Sequence, residues 1–155
     1  MELSLHVIFN SKLNQLANNT AANEATMYFV TSNFLLKNST VLFSYNLGSL
    51  TAFKGNITFT SGKILLVNNH PQIGVQEGGA ITLFQSNAFF YGVCRLECNH
   101  AENGGAILSI DSKIFMSGSN VSIAYNKASE SGGGVYLLNS ELAEFTKTEQ
   151  LDGFQ

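Results

Sequence analysis

Charge is scarce in this 155-residue sequence, because only 12% of its residues are Asp, Glu, Lys or Arg. That fraction is about half of the ~25% found in an average soluble domain. A coiled coil or helical bundle needs an excess of Ala, Glu, Lys and Arg, so both are excluded. One arginine, seven lysines and a net charge of -3 provide no basic surface, which excludes nucleic acid as a partner.

Signals for export and membrane insertion are also missing from the sequence. Met1 is not followed by a basic start and an apolar stretch, and no run approaches the ~18 apolar residues of a membrane span. Two cysteines do not make a disulfide framework. Four Asn-Xaa-Ser/Thr triplets, about as many as chance gives, are possible glycosylation sites and point only feebly to secretion: Asn18, Asn38, Asn56 and Asn120.

Small polar residues and an internal repeat take the place of charge. The sequence has 17 Asn, 16 Ser, 10 Thr and 14 Gly. Gly78-Gly79-Ala80-Ile81 returns 26 residues later, and a third Gly-Gly corner follows after another 28. An apolar residue three positions before an Asn recurs with the same period. Two motifs that keep register over five copies indicate a repeat architecture rather than a β-sandwich.

Within each repeat the apolar residues alternate with polar ones, which predicts β-strands. Three such sets occur per repeat, for example Phe34/Leu36, Val41/Phe43/Tyr45 and Ile81/Leu83, and Val121/Ile123/Tyr125 is another copy of the second set. Each set lies on one face of its strand, which we expect to point inward. We therefore expect an all-β chain, a parallel β-helix of about five coils with three short strands per coil. The expected coils are residues 1–23, 24–47, 48–77, 78–103, 104–131 and 132–145, followed by an irregular tail, 146–155. The segment from Ser140 to Phe145 could also begin a short helical turn.

Stacking of the coils at ~4.8 Å would place like residues above like. The recurring asparagines would form an inward, hydrogen-bonded structural column: Asn19, Asn46, Asn69, Asn99 and Asn126. Glycine pairs would form the sharp corners, where adjacent coils approach closely: Gly78, Gly79, Gly104, Gly105, Gly132 and Gly133. Ser32, Ser86, Ser112 and Ser140 share another aligned position, and residues 70–76 form an insertion that we expect to protrude.

Catalytic, cofactor and metal sites are not expected. Glu77, Glu102 and Glu130 precede the Gly-Gly corners and could line one edge, but we interpret them as solvated turn residues. The single arginine, Arg95, is not aligned with Asp111, as an acidic-sugar site would need. Cys94 and Cys98 would lie about 13 Å apart on a strand, too far for one zinc ion or a disulfide. We interpret both cysteines as core, and His6, His70 and His100 as surface histidines.

The repeated Gly-Gly-Ala-Ile, together with Phe43-Ser44-Tyr45-Asn46, resembles the repeats of the polymorphic outer membrane proteins of chlamydiae and related right-handed parallel β-helix proteins. The resemblance covers most of residues 13–140, with Leu or Ile in place of Phe in the other copies. It implies a right-handed coil and a secreted or surface-displayed stalk that serves adhesion. The export signal and membrane barrel of that family are not in this sequence.

We therefore expect a non-enzymatic structural or adhesive module of an extracellular or cell-surface protein. Its partner would be an unknown glycan or protein surface, and it would be part of a longer chain whose neighbouring coils or caps cover its ends. Two alternatives remain open. One is a polysaccharide-active β-helix that lacks its catalytic coils, and the other is an inert truncated fragment.

Overall fold

The computed structural model describes residues 6–9, 13–17, 27–71, 74, 77–116 and 121–145. Within these ranges the chain forms fifteen strands, and no helix there is long and apolar enough to cross a membrane. The strands are β1 (His6–Phe9), β2 (Leu13–Ala17), β3 (Met27–Val30), β4 (Asn33–Ser44), β5 (Leu50–Phe53), β6 (Asn56–Val67), β7 (Ile81–Phe84), β8 (Asn87–Glu97), β9 (His100–Asn103), β10 (Ile107–Ile110), β11 (Lys113–Met116), β12 (Val121–Ala124), β13 (Lys127–Ser131), β14 (Val135–Leu138) and β15 (Glu141–Phe145).

The strands stack into a parallel β-solenoid. The long sheet has the order β1-β4-β6-β8-β11-β15, with β2 also on β4 and β12 also on β8. The short sheet has the order β14-β10-β7-β5-β3, and β9 pairs with β13. Each pairing joins strands of successive coils in parallel. The predicted fold class is confirmed, and the arrangement is consistent with a right-handed parallel β-helix. About four full turns connect the five stacked strands of the short sheet, and each of these stacked levels is called a coil below.

Two of the three expected strands per coil run together in the middle of the solenoid. β4 and β6 each have 12 residues and β8 has 11, whereas β11 and β12 are separate. Gly62 and Gly92 lie in β6 and β8 with φ of 122° and 141°, and the register between these strands shifts nearby. Glycine allows the local bend without ending the strand. The segment from Ser140 to Phe145, where a helical turn was possible, contains strand β15 instead.

The core consists of columns of identical or similar side chains. Phe43, Leu66, Leu96 and Ile123 are register partners on successive coils, and each is buried. Phe59 and Phe90 stack with ring centroids 5.1 Å apart. Fully burying one such side chain contributes about 1.5–3 kcal/mol. The alternating pattern of the sequence therefore places a continuous apolar filling along the solenoid axis.

One part of the inward assignment was wrong. Tyr45, Cys98 and Tyr125 were placed on the core face, but all three are exposed, Tyr45 by 62% and Tyr125 by 74%. Their φ angles are 54°, 56° and 57°. Left-handed backbone at these positions turns the chain sharply, so the strict two-residue alternation stops one residue before the corner Asn.

The Gly-Gly corners lie where neighbouring coils are in backbone contact. A Cβ at Gly79 would collide with the carbonyl oxygen of Gly105, and one at Gly105 would collide with that of Gly133. Gly104 and Gly132 have φ of 62° and 66°. Gly104 and Gly132 thus adopt left-handed backbone, and Gly79 and Gly105 allow close approach, the two requirements that the sequence suggested. Gly78 differs from the other first glycines: its φ is not left-handed, and a Cβ there would collide with backbone atoms of Ile81 and Leu108.

Candidate functional site

The asparagine column is a hydrogen-bonded ladder at the corner where the chain leaves the long sheet. Asn46, Asn69, Asn99 and Asn126 lie on successive coils, and the Nδ2 of each of the first three donates to the Oδ1 of the next, at 2.9, 3.0 and 3.0 Å. The backbone N–H of the same three residues also donates to that Oδ1, at 3.2, 3.0 and 2.9 Å. Asn19, the predicted first member, lies outside the described residues.

The second amide hydrogen of these residues is used as well. Nδ2 of Asn69, Asn99 and Asn126 donates to a backbone carbonyl of the preceding coil, at 3.0, 2.8 and 2.8 Å. For Asn69 and Asn99, each amide therefore donates twice and accepts twice, which uses its hydrogen-bonding capacity. The ladder stabilises the stack and leaves no amide group for a ligand at those two coils.

The serine column lies at the corner between the short and long sheets. Ser32, Ser86, Ser112 and Ser140 each donate their hydroxyl to the carbonyl two residues earlier, at 2.6–2.9 Å. The last three hydroxyls also accept a backbone N–H of the previous coil, and Gly55 occupies the serine position in its own coil. Because the small side chains fold back on their own strands, the corner is recessed.

The recess forms an open groove of about 480 Å³ on three successive coils. Its floor is the serine column and its two walls are outward polar residues: Gln85, Asp111 and Asn139 on one side, and Asn87, Lys113 and Glu141 on the other. Lys113 Nζ lies 3.0 Å from Glu141 Oε2, and both side chains are more than half exposed. The groove is thus polar, and Asp111 leaves it with one net negative charge.

A second amide ladder, which was not predicted from the sequence, ends at Asn87 in one wall of this groove. Asn56 Nδ2 donates to Asn33 Oδ1 at 2.8 Å, and Asn87 Nδ2 donates to Asn56 Oδ1 at 3.0 Å. Lys113 and Glu141 continue the same register positions. These five residues are half-buried or exposed, whereas Asn46, Asn69 and Asn99 of the first ladder are buried. Their polar groups therefore face solvent along the whole stack.

An outward aromatic row runs beside the second amide ladder. Phe89 and Phe115 are register partners whose rings are nearly parallel, at 4° with centroids 4.8 Å apart. Tyr91, two residues along β8, is also nearly parallel to Phe89, at 9° and 6.3 Å. Parallel rings 4.8 Å apart are offset, because carbon contact distances are only ~3.5–4 Å, so part of each ring face stays uncovered.

We call the ten residues of these two rows the amide-aromatic stripe. They occupy two outward register positions on five successive coils of the long sheet: Asn33, Asn56, Asn87, Lys113 and Glu141, and Leu35, Thr58, Phe89, Phe115 and Ala143. The stripe combines amide donors and acceptors with apolar ring surface on a rigid support. Such a surface can contact the polar groups of a ligand through its amides and the apolar surface of the same ligand through its rings.

The three corner glutamates have different environments. Glu77 is only 6% exposed, and its carboxylate accepts from the Ser49 N–H at 3.3 Å and from the Thr51 hydroxyl at 3.4 Å. Glu102 accepts from the Gly74 N–H, at 2.6 Å, and Glu130 accepts from an Asn103 amide, at 3.1 Å. The interpretation as solvated turn residues was therefore wrong for Glu77, which is buried because donors of the neighbouring strand satisfy it.

The two cysteines have different environments. Cys94 is buried in the core, as predicted, and burial raises the pKa of its thiol. Cys98 is exposed at a left-handed corner, so its assignment to the core was wrong. Both are free thiols. Within the described ranges, no group of three or more His, Cys, Asp or Glu side chains is placed to hold a metal ion.

His70 and His100 are neighbours, although no partner was predicted for His70. Each directly follows a ladder asparagine, and their ring centroids are 4.7 Å apart in an edge-to-face arrangement. Burial, the charge of His70 and the charge of Lys127 together lower the pKa of His100. The sequence contained a signal for this pair: each histidine directly follows a ladder asparagine, so the two histidines occupy the same position on neighbouring coils.

Acidification is expected to destabilise the fold through His100. Because the folded-state pKa of this imidazole is below its unfolded value near 6.5, the unfolded chain binds more protons and stability falls as the pH decreases through 6.5. Below the folded-state pKa the contribution stays constant. Urea unfolding of wild-type protein and H100N between pH 7.5 and 5 checks this, and an identical pH dependence in the two proteins would contradict it.

The remaining predicted positions are only partly described. Asn18, Asn120, the side chains of His6 and Asn38, and the tail 146–155 lie outside the described residues. The Asn56 amide is part of the second ladder, and glycosylation at the four triplets stays a prediction. In the insertion after Asn69, Pro71 is buried and Gly74 is exposed, whereas residues 72, 73, 75 and 76 lie outside the described ranges.

Comparison with protein-family models, with curated proteins and with solved structures finds no match to this chain. The resemblance to the chlamydial repeats therefore stays a prediction made from the motifs.

Proposed function

We propose that this chain is a non-enzymatic structural and adhesive module of a secreted or cell-surface protein, and that the amide-aromatic stripe is its contact surface for glycans. The observation that carries the proposal is the stripe itself, in which nearly parallel Phe89 and Phe115 rings run beside exposed amides on a laddered support. The similarity of the Gly-Gly corners to adhesin repeats supports the same proposal.

The chemistry of the stripe fits a sugar chain. Amides donate and accept at once, as vicinal hydroxyls of a sugar do, and the negative face of an aromatic ring attracts the C–H face of a pyranose. The ion pair between Lys113 and Glu141 neutralises the only charges of the stripe. A neutral, hydroxyl-rich chain is therefore favoured over an acidic one, which would need free cations.

Binding to a glycan array should reveal the ligand. F115A should weaken that binding about two- to tenfold, since an aromatic stacking contact contributes ~0.5–1.5 kcal/mol. V93A is the matched control, because Val93 is 39% exposed on β8 but lies outside the stripe. Thermal unfolding of both variants would check that they fold.

Equal binding by F115A and V93A would contradict the proposed surface. Binding to protein-coated but not to glycan-coated beads would assign the adhesive role to a protein partner. Release of reducing sugar from a bound polysaccharide would favour the polysaccharide-active alternative, with Asp111 and Glu141 of the groove as the carboxylates to replace.

A further inference from the structure

The short sheet has an unbroken apolar row on its outer side. The last residue of each of its strands occupies the same register position: Val30, Phe53, Phe84, Ile110 and Leu138. Their side chains alternate with the inward residues of the same strands, and none of the five is buried. Val30 and Leu138, at the two ends, are 47% and 42% exposed. We call these five residues the apolar column.

Single exposed apolar residues are normal on protein surfaces, but contiguous ones mark interfaces. Five coils at ~4.8 Å make the apolar column about 19 Å long between its end residues. The column therefore offers a continuous apolar strip on the face of a sheet. A second sheet can pack against such a strip, with the two sheets ~10 Å apart.

A polar row directly follows the apolar column and has an unusual charge order. The next residue of each coil has left-handed backbone and an exposed side chain: Thr31, Lys54, Gln85, Asp111 and Asn139. We call these five residues the corner column. Lys54 lies one coil before the central Gln85 and Asp111 lies one coil after it. In the described part of the chain, neither charge forms an ion pair, and Lys54 Nζ lies 5.4 Å from the Phe53 ring centroid.

This order is self-complementary under a two-fold rotation. An axis that lies in the contact plane, along β7, reverses the coil order while keeping each column opposite itself. Phe84 then faces Phe84 of the second copy, and Phe53 faces Ile110 of the second copy. Lys54 faces Asp111 of the second copy, and the same pair forms again on the other side of the axis.

We propose that the apolar and corner columns form an interface between two copies of this chain, packed face to face with their solenoid axes antiparallel. A two-fold axis parallel to the solenoid axis keeps each coil opposite itself and reverses the order of the columns. With that axis along the corner column it places Lys54 against Lys54 and Asp111 against Asp111 of the second copy, which is repulsive. The amide-aromatic stripe lies on the long sheet, so its aromatic row stays outside this interface.

The size of the surface sets the expected strength. One strip about 19 Å long buries less than the ~800 Å² per partner of a standard stable interface. We therefore expect a reversible dimer, populated at protein concentrations on the order of 100 μM and dissociating on dilution. Added salt should weaken it, because the two ion pairs lie at the exposed corner.

Charge-exchange variants test the interface in sedimentation equilibrium. K54E and D111K should each weaken self-association about tenfold or more, because each places like charges opposite one another. Mixing K54E with D111K should restore association, since every introduced charge then meets an opposite one, and the double variant K54E/D111K should also recover. Both side chains are exposed, so the variants should fold; K63E, at an exposed lysine of β6, is the control.

A wild-type chain that stays monomeric at millimolar concentration would overturn the proposal and would leave the apolar column to another occupant. Association that is weakened by the single changes but not restored in the mixture would also overturn it. Association that is lost equally with K63E would show a different contact surface and would contradict the proposed one.

Discussion

Replacing Asn99 by leucine is expected to lower the free energy of unfolding by about 3–5 kcal/mol. Asn99 is almost fully buried and takes part in four amide hydrogen bonds and one through its backbone N–H. The leucine side chain has a similar size but leaves Asn69 and Asn126 without their amide partner, and it leaves the Leu66 carbonyl without this donor. Each unsatisfied buried group costs about 1–3 kcal/mol.

Urea unfolding monitored by circular dichroism measures this effect. N126A should cost less, about 1–2 kcal/mol, because Asn126 is half-buried and its amide bonds fewer groups of the described chain. N103A is the surface control, where the lost bond to Glu130 is exposed and the expected change is within about 0.5 kcal/mol. A cost for N99L no larger than that for N103A would contradict the stabilising role of the ladder.

Replacing Gly105 by alanine is expected to cost about 3 kcal/mol of unfolding free energy, or to prevent folding. The added Cβ would collide with the Gly133 carbonyl oxygen and lie 2.7 Å from backbone atoms of Lys127. Both obstacles are backbone atoms of the next coil, so no side-chain rotation relieves them. The coils would have to separate locally, which breaks the hydrogen bond from the Gly105 N–H to the Gly132 carbonyl.

Gly74 separates this steric effect from conformational freedom. It has φ of +87°, and no atom lies within 4 Å of the place that a Cβ would take, so G74A tests left-handed backbone alone. We expect G74A to cost about 1–2 kcal/mol. Equal costs for G105A and G74A, measured by the same urea titration, would show that close approach between the coils is not what selects glycine at the corners.

The repeat made most of the architecture predictable. A ladder asparagine must occur once per coil to form hydrogen bonds with the asparagines of the neighbouring coils. The regular spacing of asparagine in the sequence therefore predicts that four of them stack: Asn46, Asn69, Asn99 and Asn126. The serine column was visible for the same reason. Gly55 replaces serine in its coil, but the hydrogen bond to the next coil is kept, because the Gly55 N–H donates to the Ser86 hydroxyl.

The errors occurred where one residue departs from the average backbone. Alternation predicts a core position for Tyr45 and Tyr125, but a single left-handed φ angle turns both side chains outward. Glu77 looks like Glu102 in the sequence, yet it is buried because Ser49 and Thr51 offer donors in the neighbouring strand. Such local partners depend on three-dimensional register, which composition and period do not specify.

The outward rows were missed for a different reason. The alternating pattern was used only to assign the inward apolar residues. The outward positions were all treated as ordinary solvated surface, so neither the apolar column nor the amide-aromatic stripe was predicted. Both repeat with the same period as the core. Aligning the coils could have revealed the pair of Phe89 and Phe115, because both are apolar residues at a strand position that alternation predicts to face solvent.

The central claim is that like residues of successive coils lie directly above one another in parallel strands. Solution NMR of the 16.8 kDa chain tests it most directly, through nuclear Overhauser contacts between strands. The solenoid predicts cross-strand contacts that join Leu66 to both Phe43 and Leu96, and side-chain amide contacts between Asn69 and Asn99. Antiparallel contacts between strands adjacent in the sequence, with Asn69 and Asn99 apart, would contradict the solenoid.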